Sequence, residues 1–239
     1  MNIRIGKYRM NETLESLESN GIYRVGDIPG IGRMFPDLPN DTKDNVKITH
    51  EGVYSITDPK IMAILNREIA HCRALMPPAN DGWIGTSKAD LSQLTITDAT
   101  ANCGGSVLGF ATAFKHVNAV EIDKETFTVL SHNIKIYGHE NITLINADYT
   151  EIIEKLEQDV IFVDPPWGGH GYDLKVGLRL TLGDISLLEV VKRGLKVAKL
   201  VVLKLPLNYD FSEFVEIKHY QKRVGRIMFV FCMVASAGK

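Results

Sequence analysis

Cysteine is scarce in this sequence. Cys72, Cys103 and Cys232 are odd in number and widely scattered, which excludes a disulfide framework or a zinc knuckle and fits an intracellular, reducing compartment. The histidines lack ligand spacing: His132 and His139 stand seven apart, with no HxxxH or CxxC beside them, so no metal site is expected. No apolar run reaches membrane-spanning length, and the opening MNIRIGKYRMNETLESLESN has no apolar signal-peptide core, so a soluble protein with no membrane partner is expected. An excess of one charge is missing too. Lys and Arg number 27 against 29 Asp and Glu, a formal net charge of -2, so any nucleic acid must be met by a local patch rather than a global basic field. There is no internal repeat and no low-complexity tract.

What is present is alternation. LTITDAT (94–100), VNAVEID (117–123), ITLINAD (142–148), VIFVD (160–164) and KLVVLKLPLN (199–208) read as strands. Between them SVLGFATAFK (106–115), KETFTVLSHNIKIYG ending at Gly138, YTEIIEKLEQ and LGDISLLEVVKRGLKV read as helices. This spacing predicts parallel βαβ units with helices on both faces of one sheet. The final VEIKHYQKRVGRIMFVFCMVA has no helix between its strand-like halves and predicts an antiparallel pair joined through Gly225. A parallel α/β sheet finished by such a hairpin resembles the Rossmann-like class I S-adenosylmethionine-dependent methyltransferases.

Residues 1–90 are less regular and predict a small helical and loop extension ahead of a core over 91–239. TLESLES suggests one or two helical turns, and PGIGRMFPDLPNDTKDN a loop. TDPKIMAILNREIAHCRAL predicts a helix capped by Thr57 or Asp58, with Pro59 in its first turn.

Ligands of open α/β sheets sit outside the carboxyl ends of the strands. Asp98, Glu121 and Asp148 fall at three such ends, and Gly104-Gly105 supplies a turn that backbone can bring close to a ligand. The turn is neither GxGxxG nor a P-loop, which disfavours a dinucleotide phosphate. Glu121 suits a ribose diol, unless it faces solvent beside a helix-capping Asp123, and Asp148 suits an adenine amino group. Asp98 either holds the turn or meets a ligand ammonium. S-adenosylmethionine carries these features without a phosphate.

The stretch VIFVDPPWGGHGYD (160–173) runs from an apolar strand into a carboxylate, two prolines and a tryptophan. Prolines fix φ and remove backbone donors, leaving rigid carbonyls. With Asp164 they make an acceptor-only corner, suited to placing the N–H bonds of an exocyclic amine. Trp167 offers a face on which a base can stack, with added attraction if the base is cationic.

DPPWGG, preceded by DATANCGG, VEID and the upstream KITHEGVYSIT, resembles the trimethylguanosine synthase family, over roughly residues 33 to 208. The resemblance implies methylation of N2 of 7-methylguanosine in the RNA 5′ cap, with S-adenosylmethionine as cofactor, capped RNA as partner, no metal, and a nuclear or cytoplasmic, even viral, setting. It implies Asp164, Pro165 and Trp167 as catalytic residues. It also implies Thr57, Asp98, Gly104, Glu121, Asp148 and Asp164 as cofactor ligands, with Tyr54 and Ser55 in a segment that closes over the cofactor. Cap binding falls to Trp167, to Arg33 and Lys204 for phosphates, with Arg4, Lys7, Arg9, Lys175 and Arg179 as further cations, and to Phe35, placed either over the guanine or in the core. This sequence departs from the family in GGHGYD, in Asn102-Cys103 and in Glu121 for a usual Asp. Guanine-N2 methylation of ribosomal RNA, amino methylation of DNA and a non-catalytic cap-binding role stand as alternatives.

Overall fold

The computed structural model describes residues 21–74, 90–168 and 176–234, with the backbone of a short antiparallel pair at Arg4–Ile5 and Tyr8–Arg9. The helical turns expected at TLESLES, the side chains of Arg4, Lys7, Arg9 and Lys175, and most of the divergent GGHGYD segment lie outside the described residues.

Seven strands form the central sheet: β1 Thr95–Asp98, β2 His116–Glu121, β3 Ile142–Asn146, β4 Val160–Val163, β5 Leu200–Pro206, β6 Lys218–Val224 and β7 Ile227–Met233. Their spatial order is β6-β7-β5-β4-β1-β2-β3. Strands β1 to β5 are parallel, and β7 runs antiparallel to both β5 and β6. This is the expected sheet and closing hairpin, with Gly225 at φ 59° in its turn. Every residue of β4 and β5 is buried, as strands covered on both faces require. The chain moves outward from β1 to β2 and β3, then returns to β4 on the other side of β1. The switch point therefore lies between the carboxyl ends of β1 and β4, where such sheets bind ligands.

Four helices cover the sheet: α1 Pro59–Ala74, α2 Gly105–Ala111, α3 Lys124–Tyr137 and α4 Leu187–Val197. Asp58 accepts from the Lys60 amide at 2.7 Å and so caps α1, while Thr57 is committed elsewhere. Asp123 caps α3 through Thr126 N, and Gly138 ends it at φ 68°.

Three expected helices are shorter than the periodicity suggested. SVLGFATAFK is helical only as far as Ala111. YTEIIEKLEQ is helical only over Tyr149–Ile152, because Gln158 turns back, donating to the Ile153 carbonyl at 2.7 Å and accepting from Tyr149 Oη. In LGDISLLEVVKRGLKV the first residues form a hairpin, Thr181–Leu182 against Ile185–Ser186, since Gly183 (φ 56°) and Asp184 make a two-residue turn. Ser186 then caps α4. The Pro-, Gly- and Asp-rich stretch expected as loop contains a 3₁₀ turn, Ile31–Met34, and a one-turn helix, Asn40–Lys43.

The upstream segment packs on the face covered by α2 and α3. Its strand pair Ile22–Arg24 and Lys47–Thr49 brings Val46 and Ile48 into one apolar cluster with Ile96, Val107 and Leu130. Fully buried Asn133 fastens it: its side chain bonds the Lys47 amide and carbonyl and the Cys103 carbonyl, each at 2.8 Å. Among the described residues no helix is long and apolar enough to cross a membrane.

Candidate active site

Strand β4 delivers Asp164, Pro165, Pro166 and Trp167 to the switch point. The Asp164 amide donates to Thr100 Oγ1 at 2.8 Å, so the loop after β1 holds the corner after β4. Pro165 is buried and Pro166 exposed. Gly168 takes φ 90°, a left-handed conformation that turns the chain sharply after the tryptophan. Trp167 is half-buried against the second apolar cluster, and its Nε1 donates to the Lys204 carbonyl at 3.3 Å.

Lys204 reaches the same corner from β5. It is buried, and its Nζ donates to Asp164 Oδ2 at 2.6 Å, to Thr57 Oγ1 at 3.0 Å and to the Ser55 carbonyl at 3.3 Å. The ammonium lies 5.9 Å from the Trp167 ring centroid. Burial raises the Asp164 carboxyl above the usual carboxylate range, and Lys204 opposes that shift.

The loop after β1 builds the other half. Asp98 is fully buried; Oδ1 accepts from the Thr100 amide at 3.1 Å, and Oδ2 finds no partner among the described residues. Burial is the main cause that pushes its carboxyl up to about 7, the Thr100 amide opposing and the charges of Asp164 and Glu121 adding. Asn102 stands at φ 45°, in the left-handed region that Asn tolerates better than most residues. There its side chain donates to Ser55 Oγ and accepts from the Cys103 amide. Gly104 follows at φ 97°, where a Cβ would also come within 3.0 Å of Leu130 Cδ1. Glu121 accepts from the Asn102 and Asp123 amides at 2.8 and 2.9 Å, and burial raises its carboxyl. Asp148 uses Oδ1 to cap the Tyr149–Ile152 turn, accepting from the Thr150 amide and hydroxyl. Asp98, Glu121 and Asp148 thus stand at the carboxyl ends of three adjacent strands, beside the Asp164 corner.

A family model described as RNA cap guanine-N2 methyltransferase matches residues 93–234, a span containing all of these acids. The chain belongs to that family. An uncharacterised protein of Acanthamoeba polyphaga mimivirus is 33% identical over 216 residues, 85% of this chain and 84% of that one. The trimethylguanosine synthase of Schizosaccharomyces pombe is 30% identical over 126 residues, 49% of this chain and 52% of that protein. Among solved structures, a precorrin-6y C5,15-methyltransferase from Geobacter metallireducens GS-15 aligns with a TM-score of 0.50 at 14% identity, over 76% of this chain and 91% of that chain. That last likeness is one of fold.

The cofactor of this methyltransferase is S-adenosylmethionine, and the residues present fit it. An unpartnered buried carboxylate oxygen suits a cationic group, and two further acids suit neutral donors such as hydroxyls and an amine. Two positions expected to bind the cap do not. Phe35 is 1% exposed and belongs to the core with Ile31 and Val46, so it cannot cover a base. Lys204 is no surface cation for phosphates, because all three of its observed bonds are internal. Arg33 is exposed, but in a turn whose Pro36 carbonyl accepts from Tyr137 Oη. Tyr137 ends α3, whose 14 residues span about 21 Å from the end beside Glu121. The Pro36–Tyr137 bond ties the segment just after Arg33 to the far end of α3. Arg179 is held by Asp210 and Ser212.

Thr100 joins the site without having been singled out in the sequence, and Asn102, noted there only as a departure from the family, holds the turn. Their signal was the short polar loop between a buried strand and Gly104, where side-chain bonds must hold a non-helical backbone.

Proposed function

We propose that the chain transfers a methyl group from S-adenosylmethionine to the exocyclic N2 of 7-methylguanosine in the RNA 5′ cap. The observation that carries this reading is the corner at the end of β4: a buried carboxylate and proline carbonyls beside a half-buried tryptophan at the switch point. The cofactor supplies an electrophilic methyl group on a sulfonium. The chain's residues bring the amine to it. Asp164 and the Pro165 carbonyl accept the N2 protons and turn the nitrogen lone pair out of conjugation with the ring and toward the methyl. Alignment of this kind is worth up to about 7–11 kcal/mol at its limit. Trp167 stacks on the positively charged purine. Glu121 takes the ribose hydroxyls, Asp148 the adenine amino group and Asp98 the ammonium, while the turn at Gly104 lets backbone approach. Ser55 and Thr57, from the extension ahead of the core, reach the same site, and the core that follows supplies the catalytic residues.

Asp98 gives this arrangement a pH dependence. Its carboxyl, up at about 7 in the free protein, is protonated below that pH and must ionise to meet an ammonium, so binding strengthens as pH rises. The cofactor Kd is expected to fall roughly 10- to 30-fold between pH 5.5 and 7.5 by titration calorimetry. In Asp98→Asn that slope disappears; a slope retained in the variant removes Asp98 from the cofactor site.

The reading itself is tested by transfer of labelled methyl to capped RNA, ribosomal RNA and DNA, followed by digestion to nucleosides. The label is expected in 2,7-dimethyl- or 2,2,7-trimethylguanosine. Label in unmodified-cap guanine, ribosomal guanine or a DNA base instead assigns one of the other acceptors. No measurable cofactor affinity, with cap binding retained, makes the protein a non-catalytic cap-binding module.

A further inference from the structure

We propose that Lys204 is a positioning residue for the methyl transfer, holding Asp164 by one carboxylate oxygen and leaving the other to the substrate amine. The inference rests on the cap-methylation reading and adds to it a residue outside the DPPW motif.

Strand β5 reads LVVLKLP and is buried at all seven positions, so Lys204 is a lone charge in an apolar strand. A buried lysine is rare unless paired, since the desolvation of its ammonium must be offset by close partners. The ladder sets up the pairing: Leu203 is in register with Val163, so the next residues along these parallel strands, Lys204 and Asp164, emerge side by side. The ammonium then makes three bonds, to Asp164 Oδ2, Thr57 Oγ1 and the Ser55 carbonyl. Asp164 Oδ1 carries no hydrogen bond among the described residues, and the Asp164 amide is fixed by Thr100. One carboxylate oxygen is occupied, the backbone is clamped and the second oxygen is left for a donor. Through Ser55 and Thr57 the same ammonium joins the upstream segment to the corner.

The charges around Asp164 give Lys204 its second task. Asp98 at the end of neighbouring β1 repels an ionised Asp164, and Glu121 at the end of β2 adds to the negative field around Asp98. Lys204 on β5 supplies the opposing positive charge. As the N2–C bond forms and the C–S bond breaks, the sulfonium charge passes to N2, and the N2 proton moves to Asp164 Oδ1 and on to water. An Asp164 already protonated can take no proton, so the reaction needs the anion that Lys204 maintains.

Removing Lys204 raises the pH at which Asp164 ionises. In Lys204→Met the acid limb of the kcat/KM profile on 7-methylguanosine cap analogue is expected to move up by at least one pH unit. Activity falls tenfold or more at pH 6.5 and recovers to within about threefold at pH 9. Lys204→Arg keeps the limb in place. In the Asp164→Asn background, where position 164 no longer titrates and the remaining limb belongs to Asp98, adding Lys204→Met leaves the limb unchanged. That double variant also removes the buried charge whole, so it stays folded if the single variant does not, and Lys204→Gln then replaces Lys204→Met as the single change. Carbon-13 NMR titration of the Asp164 carboxyl in the free protein provides a readout that needs no turnover. An Asp164 midpoint unmoved by the loss of Lys204, or activity lost equally at every pH, overturns the proposal and leaves Lys204 a structural residue. A midpoint that moves while the wild-type protein methylates no cap at any pH upholds the Lys204–Asp164 coupling and overturns the cap reading instead.

Discussion

Asp164→Asn is expected to lower kcat for cap methylation by about 10²- to 10⁴-fold, the range of a positioned group that accepts a proton in the transition state. The amide keeps the size of the carboxylate, so the corner stays filled. It can no longer hold an N2 proton with an anionic oxygen, and where it presents its NH2 it offers a donor to a donor. The cofactor Kd is expected to change by less than about tenfold, because Asp98, Glu121 and Asp148 remain. Asparagine is the informative substitution and alanine is not. Both substitutions leave the ammonium of Lys204 buried without its anion, at a cost of up to about 3–5 kcal/mol of fold stability, but asparagine keeps an oxygen that can accept from it and alanine does not. Single-turnover rates with cofactor saturating separate the two effects. A rate within threefold of wild type in Asp164→Asn removes Asp164 from the chemistry.

Trp167→Ala is expected to act on KM. Stacking of a base on an aromatic ring is worth about 1–3 kcal/mol, and a cationic base adds about 0.5–2 kcal/mol. Together, about 1.5–5 kcal/mol corresponds to roughly 10- to 4000-fold weaker cap binding. Trp167→Phe keeps a ring with a weaker face and falls between. Since Trp167 also packs on the second apolar cluster, thermal unfolding of each variant with cofactor bound shows whether the site has kept its shape. Unchanged affinity for 7-methylguanosine cap in Trp167→Ala makes the tryptophan a core residue alone.

Much of this was legible because hydrophobic period and strand-end chemistry pointed the same way. The runs at 94–100, 142–148, 160–164 and 199–208 contain the observed strands and that at 117–123 misses only the first residue of its own, since β-branched residues bounded by acids and glycine have few other uses. The DPPW corner was readable for the same reason: two prolines cannot continue a central strand. Lys204 was misjudged because a lysine is ordinarily exposed. Its neighbours on both sides, Leu203 and Leu205, are as buried as it is, and an apolar run of that length already implied a strand covered on both faces. For Phe35 the sequence left a place over the guanine and a place in the core open, and the 3₁₀ turn at Ile31–Met34 decides for the core by leading its apolar residues inward. The hairpin at Thr181–Ser186 was hidden by apolar positions that also match a helical period, and its Gly-Asp turn was the discriminating signal. Side-chain bonds such as those of Asn102 depend on residues far apart in the chain, which no local pattern encodes.

The most direct test is the ratio of kcat/KM for the wild-type protein on 7-methylguanosine cap and on the same cap without the 7-methyl group. A tryptophan face facing a cationic base and an acceptor corner holding N2 together favour the methylated cap, by about 2- to 30-fold from the cation and ring attraction alone, with the new methyl on N2. Equal transfer to both caps, or a product methylated at any other atom, contradicts the account.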